Sequence, residues 1–168
     1  FAVPHTSIEG VTRVSRQELQ ACYNGEQKHI VYAGNKYRVR YLGEMLEFVK
    51  PGSDYLKDQP NRWFPLLLVR HGDHRVAVHV DQMVGSRQIV VKSVGMQLST
   101  VRWVTGGTIL GDGRVALILD VNALVRLSDI HQKRVAKAGR EAAAGAKSPP
   151  VVPEVVEEEK PVMVMVVD

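Results

Sequence analysis

The chain has a single cysteine, Cys22, among its 168 residues. One thiol excludes an internal disulfide and a zinc site built from cysteines, and it is consistent with a reducing compartment. Long hydrophobic runs are also missing. The runs Phe64–Val69, Val115–Leu119 and Val162–Val167 all fall far short of the ~20 residues that span a bilayer. The sequence is therefore consistent with a cytoplasmic domain, and it predicts no disulfide framework and no direct membrane insertion.

The sequence motifs of common enzyme classes are absent too. There is no Gly-x-Ser-x-Gly elbow and no His-Glu-x-x-His pair. Gly111-Asp112-Gly113 invites comparison with a phosphate-binding loop, but a β-rich run follows it where such a loop needs a helix. Asp-Gly between two apolar runs is typical of a tight hairpin turn. The hairpin is therefore the favoured interpretation of these glycines.

Three histidines and a nearby aspartate are candidate metal ligands. His71 and His74 are three residues apart, and His79 and Asp81 follow closely. Their spacing matches no known zinc motif, so we interpret these histidines as surface residues. We predict no catalytic, cofactor-binding or metal-binding residue in Phe1–Leu127.

The net charge is +4, and basic residues are concentrated in Ser128–Lys147. A single-stranded nucleic-acid site would interleave aromatic residues for base stacking, and this stretch has none. A solvated helix face is the favoured interpretation, so we expect no nucleic-acid partner.

Most of the chain is predicted to form short strands separated by turns. Lys36–Tyr41 and Arg75–Val80 alternate between apolar and polar residues, which is typical of half-buried strands. Phe64–Arg70 and Val115–Leu119 are nearly continuous apolar runs, which predict strands covered on both faces. Short strands at this spacing indicate a mainly β fold of small barrels.

A faint internal repeat supports two related lobes. Ala2–Gly10 aligns with Ala77–Gly85 at an offset of 75 residues, and Gly34-Asn35 aligns with Gly111-Asp112 at an offset of 77. The matches recur in the same order, so we expect two barrels of similar plan.

The character of the chain changes after Val121. Residues 122–127 are predicted to be helical, with an exposed helical stalk over residues 128–147 and a Pro- and Glu-rich linker over residues 148–161. Residues 162–168 predict a further strand with no partner strand in this chain. Since the chain begins at Phe1 and stops at Asp168, we expect it to be cut from a longer protein.

The large aliphatic residues exceed what one small barrel can bury. We therefore selected candidates for a partner interface: Ile8, Val11, Tyr41, Leu42, Met45, Met83, Val84 and Ile89. The alternative, that two lobes bury these residues against each other, stays open at this point. On the interface reading, Leu42→Arg or Val84→Arg weakens partner binding and leaves the fold intact.

The run GGTILGDGRVALILDV, residues 106–121, resembles the signature of the CheW-like domain at the end of CheA-type chemotaxis histidine kinases. Further segments fit the same family in the same order: FAVP at 1–4, IE at 8–9, YRVRYLGEML at 37–46, PLLLVR at 65–70, VD at 80–81, VK at 91–92 and VG at 94–95. The resemblance covers about residues 1–127. It implies two SH3-like five-stranded β-barrels, followed here by a helix and a linker.

The tail resembles a second family. PVMVMVVD, residues 161–168, is similar to the opening strand of a receiver domain, in which an acid of a magnesium site closes the strand. Asp168 is the candidate for that acid. The parent thus resembles a hybrid kinase with a C-terminal receiver, of the kind found in type IV pilus and twitching-motility systems.

These resemblances imply a non-catalytic scaffold. Its partners would be a CheW-type coupling protein, the cytoplasmic tips of chemoreceptors in membrane arrays, and other domains of the parent kinase. ATP and magnesium would be bound elsewhere in the parent, and this segment would need no cofactor. The alternative from another class is a small-ligand- or metal-binding enzyme domain.

Overall fold

A computed structural model describes residues 1–27, 29–48, 63–95, 98, 100–130 and 163–167. Two short helices, one longer helix and ten strands follow one another along these residues. They are β1 (Ala2–Pro4), β2 (Gly10–Ser15), α1 (Arg16–Tyr23), β3 (Ile30–Tyr32), β4 (Asn35–Tyr41), α2 (Leu42–Met45), β5 (Trp63–His71), β6 (His74–His79), β7 (Gln82–Arg87), β8 (Val104–Ile109), β9 (Val115–Leu119), α3 (residues 121–130) and β10 (Met163–Val167).

The strands form two curled five-stranded sheets, which confirms the mainly β fold of two barrels. Barrel 1 has the strand order β7-β10-β1-β9-β8, and barrel 2 has the order β2-β5-β6-β4-β3. In barrel 1 the segment after β7 returns to the far edge of the sheet. There the backbone of Lys92 exchanges two hydrogen bonds with Gly107 of β8, at 2.8 and 2.9 Å. This contact brings the two edges of the sheet together.

The chain crosses between the barrels at two equivalent points. It leaves barrel 1 after β1 to form β2, and it leaves barrel 2 after β6 to form β7. These are the segments that the internal repeat aligns, Ala2–Gly10 with Ala77–Gly85. The repeat therefore marks matching crossovers.

Apolar side chains pack in three groups. The largest, which we call the central core, lies between the two sheets and draws residues from both barrels, α2 and α3. Its buried members are Val3, Leu42, Met45, Leu46, Leu67, Val69, Val76, Val78, Val80, Leu119, Val121, Leu124, Val125, Val164 and Val166. The interior of barrel 2 is formed by Val14, Leu19, Ile30, Tyr37, Phe64, Leu66, Leu68 and Ala77. The interior of barrel 1 is formed by Ala2, Ile118, Met165 and Val167.

This layering explains the continuous apolar run in β5. Leu66 and Leu68 face the interior of barrel 2, whereas Leu67 and Val69 face the central core. A strand covered on both faces has no position for a polar side chain. The prediction for Phe64–Arg70 is confirmed for Phe64–Val69 and is wrong at its last residue, because Arg70 is exposed. The corresponding prediction for Val115–Leu119 is wrong at its first residue, because the Val115 side chain is 72% exposed.

The helices begin at clear sequence signals. The Ser15 hydroxyl accepts from the Glu18 N–H while the Glu18 carboxylate accepts from the Ser15 N–H, which is a capping box at the start of α1. The Asp120 carboxylate accepts from the Ala123 N–H at 2.9 Å and so caps α3. A partly buried ion pair ties α3 to barrel 2, since Arg40 of β4 contacts Asp129 at 2.6 Å.

One expectation about the tail is wrong. The last strand, β10, does have partners here, because it lies between β1 and β7 and is parallel to both. Its apolar residues fill places in the central core and in the interior of barrel 1. The stalk beyond residue 130, the linker at 148–161 and Asp168 lie outside the described residues, so those expectations stay predictions.

The closure of barrel 1 depends on a glycine. A Cβ atom on Gly106 would lie 2.9 Å from Cγ1 of Val91 and 3.1 Å from the Lys92 carbonyl oxygen. A Cβ atom on Gly107 would meet nothing closer than 3.7 Å.

We therefore expect Gly106→Ala to lower the free energy of unfolding by about 1–3 kcal/mol through overpacking. Gly107→Ala, the matched control, should change it by less than about 1 kcal/mol. Urea unfolding measures both, and equal losses would contradict this account.

Candidate partner-binding surface

The structure separates the eight candidate interface residues into three groups. Val11 and Val84 are exposed, at 37% and 51%. Ile8, Met83 and Ile89 are partly buried, the first two against the central core and the third against the interior of barrel 1. Tyr41, Leu42 and Met45 are buried, with 2%, 1% and 8% of their surface exposed.

The three buried residues are not available to a partner, and this corrects their selection. Leu42 and Met45 belong to α2, which directs both side chains into the central core. Tyr41 ends β4, and its hydroxyl donates to the buried Asp81 carboxylate at 3.1 Å. Gly43 makes room for this tyrosine, because a Cβ atom there would lie 2.5 Å from the Tyr41 ring. For Leu42 and Met45, which belong to the central core, the alternative of burial between two lobes is the correct one. Tyr41 is buried against His79 instead.

An apolar surface that the candidates did not include lies on the β8–β9 hairpin. Ile109 and Val115 are opposite each other in register and are 58% and 72% exposed. Leu117, two residues beyond Val115 on the same face, is partly buried. Val94 is also partly buried, and its Cγ1 atom lies near the position a Gly107 side chain would take. We call Val94, Ile109, Val115 and Leu117 the hairpin patch.

The turn beside the hairpin patch is the Gly111-Asp112-Gly113 segment. Gly113 has φ +83°, the left-handed conformation that favours glycine. The Asp112 carboxylate accepts from the backbone N–H and the guanidinium of Arg114, at 3.0 and 2.7 Å. Arg114 holds the pKa of Asp112 below its usual range. The hairpin prediction is confirmed, and the turn positions two apolar residues at the tip of barrel 1.

Barrel 2 presents a second exposed apolar site. Val31 and Tyr32 lie on β3, an edge strand, and are 67% and 40% exposed. Val11 lies on β2, the opposite edge of the same sheet. Unpaired edges with apolar side chains are surfaces that a partner can cover.

The interior of barrel 2 contains a buried histidine, His79, whose predicted position is wrong. His79 was expected at the surface but is fully buried, because β6 is an inner strand covered on both faces. Its Nδ1 atom lies 2.7 Å from the Tyr23 hydroxyl, and its Nε2 atom has no hydrogen-bond partner among the residues that the structure describes. Burial lowers the pKa of His79 to about 3. The imidazole is therefore neutral at physiological pH, packed against Tyr41 and Phe64.

A cleft of about 360 Å³ is lined by Thr6, Ser7, Ile8, Glu9, Arg70, Gly72 and Asn122. Its charged groups already have partners. Glu9 accepts from the Tyr37 hydroxyl at 2.8 Å and lies 3.9 Å from both Arg70 and Arg75. Among the described residues, no three His, Cys, Asp or Glu side chains come together as a metal site would need. In the same part of the chain, no helix is long and apolar enough to cross a membrane.

Comparison with known proteins identifies what this arrangement resembles. Residues 1–129 match the family model described as CheW-like domain. The chain is 35% identical over 125 residues to "Chemotaxis protein CheA" of Bacillus subtilis, covering 74% of this chain and 17% of that protein. It is 27% identical over 131 residues to "Sensor histidine kinase CheAY" of Helicobacter pylori, covering 76% and 15%. It is 28% identical over 122 residues to "Gliding motility regulatory protein" of Myxococcus xanthus, covering 72% and 14%. The chain thus spans about a sixth of the length of these relatives.

The burial of Leu42 reverses the expected effect of one substitution. Leu42→Arg places a charge in the central core, and we expect it to lower the free energy of unfolding by more than about 4 kcal/mol. Val84→Arg changes an exposed side chain and should stay within about 0.5 kcal/mol of the unchanged chain. Circular dichroism with urea titration checks both variants. A folded Leu42→Arg chain would show that the central core is misplaced.

The buried imidazole also predicts a pH dependence. The unfolded chain binds a proton at His79 below pH 6.5, whereas the folded chain does so only near pH 3. Stability should therefore fall as pH drops from 6.5 towards 3, with this histidine contributing on the order of 2 kcal/mol by about pH 4.5. His79→Gln should lower stability at neutral pH but flatten this acid loss. His74→Gln, an exposed histidine, is the control, and urea midpoints across this pH range measure the difference. Parallel pH profiles for all three chains would refute the assignment.

Proposed function

The chain belongs to the family of CheW-like domains, and from this membership we propose that it is the docking scaffold of a chemotaxis-type histidine kinase. In this role it binds a CheW-type coupling protein and the cytoplasmic tip of a chemoreceptor. It passes the state of the receptor to the kinase through protein contacts and performs no chemistry itself. The naming of two relatives as CheA and as a sensor histidine kinase supports this proposal.

The observation that carries the proposal is the hairpin patch. Ile109 and Val115 form an exposed cross-strand pair at the end of the β8–β9 hairpin, although most of the other large aliphatic residues that the structure describes are buried or partly buried. An exposed apolar cluster on an ordered element is typical of a protein-binding surface. Main-chain pairing with β9 holds the patch in place, so a partner can bind it without ordering a loop.

The two exposed apolar sites suit a coupling role. The hairpin patch belongs to barrel 1, whereas Val31 and Tyr32 belong to an edge strand of barrel 2. A chain with one such surface on each barrel can hold two partners at the same time. The central core joins the two barrels, so a displacement at one surface can be transmitted to the other.

The enzyme alternative is not favoured. It rests on the cleft beside Glu9, where the carboxylate is engaged by the Tyr37 hydroxyl and flanked by two arginines. Groups that satisfy one another in this way hold β2, β4 and β5 together. Since these charged groups already contact one another, few of them are left to bind a charged substrate.

The wider setting also belongs to this proposal. The relatives are about six times longer than the matched segment, so the kinase activity with its ATP and magnesium is assigned to other parts of the parent protein. The parent is a cytoplasmic protein associated with receptor arrays. A receiver whose first strand is formed by residues 162–168 is part of the same proposal. A role in pilus or gliding motility is consistent with a relative named as a gliding motility regulator.

A pull-down with a purified CheW-type coupling protein tests the proposal. Ile109→Arg combined with Val115→Arg should weaken binding at least tenfold, because an apolar contact is replaced by two unpaired charges. Val31→Arg tests the second surface in the same assay. His74→Arg, on the exposed turn between β5 and β6, is the matched control and should bind normally. Absence of binding by the unchanged chain, or full binding by every variant, would overturn the proposal.

A further inference from the structure

One lysine lies on the same face of barrel 1 as the hairpin patch. Lys92 pairs with Gly107 of β8 through two backbone hydrogen bonds. Residues that pair in register point their side chains to the same side of a sheet, and so do residues two apart on one strand. The Lys92 side chain therefore projects from the face that carries Ile109, two residues beyond Gly107, and Val115, the partner of Ile109.

This face is the outside of barrel 1. Ile118 of β9 packs into the barrel interior, so Val115 and Leu117 lie on the opposite face. Ile89 also packs against the interior, whereas Val90 beside it is 75% exposed. Val90 thus extends the apolar surface past the lysine, and aliphatic side chains lie on both sides of one positive charge.

The lysine has no counter-charge within the part of the chain that the structure describes. Lys92 is exposed and forms no ion pair there. Gly107 opposite has no side chain to pair with it. The acid of the hairpin turn, Asp112, is already bound by Arg114 at 2.6 Å.

The surrounding segment is basic as well. Residues 82–119, from the start of β7 to the end of β9, contain four basic residues against one acidic residue. A partner that covers the hairpin patch therefore meets an excess of positive charge. Burying an unpaired ammonium group in an apolar contact is unfavourable, so the partner that fits best supplies a negative charge.

We propose that Lys92 determines which partner the hairpin patch accepts, by pairing with a carboxylate of the CheW-type coupling protein at the centre of an apolar contact. This inference rests on the docking role proposed above, and it names the chemistry of the surface that docks. That surface has aliphatic side chains that cover Val90, Ile109 and Val115, around one aspartate or glutamate. A partner without the carboxylate leaves the ammonium group buried and unpaired, so the ion pair supplies selectivity.

An anionic lipid surface is the other occupant that apolar and basic groups suit. Lipid recognition of this kind uses clusters of about four to eight basic residues, whereas Arg114 here is already bound to Asp112. Docking of the hairpin on a membrane would also bring the Asp112 carboxylate against negatively charged headgroups. Both observations favour a protein partner.

The salt dependence of binding tests the ion pair. The dissociation constant of the full chain and a purified CheW-type coupling protein is measured by calorimetry from about 50 to about 500 mM NaCl. We expect the unchanged chain to bind about fivefold more weakly at the higher concentration, because salt screens the pair. Lys92→Met should lose most of this dependence. Arg102→Met, before β8 at the end away from Ile109, is the matched control and should keep it.

Charge reversal identifies the partner residue. Lys92→Glu should weaken binding about tenfold or more, because it brings two carboxylates together. Each exposed Asp and Glu of the coupling protein is then replaced by Lys. We expect one of these variants to restore binding to the Lys92→Glu chain and to bind the unchanged chain poorly. The proposal would be overturned if none restored binding, or if Lys92→Met kept the salt dependence of the unchanged chain.

The same variants separate this inference from the docking role. Circular dichroism of the Lys92 variants should match that of the unchanged chain, since the side chain is exposed. If Ile109→Arg with Val115→Arg weakens docking and Lys92→Glu does not, the docking role stands and the role of Lys92 is refuted. If the unchanged chain does not bind the coupling protein, both proposals fail. Cosedimentation with phosphatidylglycerol-containing vesicles that Lys92→Glu abolishes would assign the patch to lipid and overturn the protein partner.

Discussion

Burial of β5 and β6 on both faces is the constraint on which the rest of the structure depends. Leu67, Val69, Val76 and Val78 point out of barrel 2 and would be exposed if that barrel stood alone. Each such side chain contributes about 1.5–3 kcal/mol when it is fully covered. Barrel 1, α2 and α3 provide the cover. The two barrels are therefore one folding unit built around a shared core.

This constraint also decides which surfaces remain for partners. The face of each sheet that meets the central core is not available, and α1 covers part of barrel 2 through Leu19. Exposed apolar side chains at strand edges and at a hairpin tip include Val31, Tyr32, Val84, Ile109 and Val115. A scaffold built in this way presents separate small surfaces around a rigid middle. Such an arrangement suits simultaneous docking better than chemistry, which needs polar groups that converge on one point.

Several parts of the fold were predictable from local pattern. The alternation of apolar and polar residues predicted that Tyr37, Val39 and Tyr41 lie on one face of β4. In the structure, this face points into the interior of barrel 2. The same alternation was the signal that Tyr41 is buried, although Tyr41 was chosen as an interface candidate. Val115 was predicted to be buried but is exposed. Its apolar neighbours suggest burial, but it directly follows an exposed turn, and a strand residue at the rim of a sheet is not covered on its outer face.

The sequence by itself determined the strands, the turns, the helix caps and the family of the domain, because these depend on residues close together in the chain. Tertiary structure alone decided that His79 is buried and neutral, that Leu42 and Met45 belong to a core shared by two barrels, and that Met163–Val167 fills a place between β1 and β7. Each of these depends on which distant segment covers a given face. A pattern along the chain can show that a face is covered, but which segment covers it is decided by three-dimensional packing.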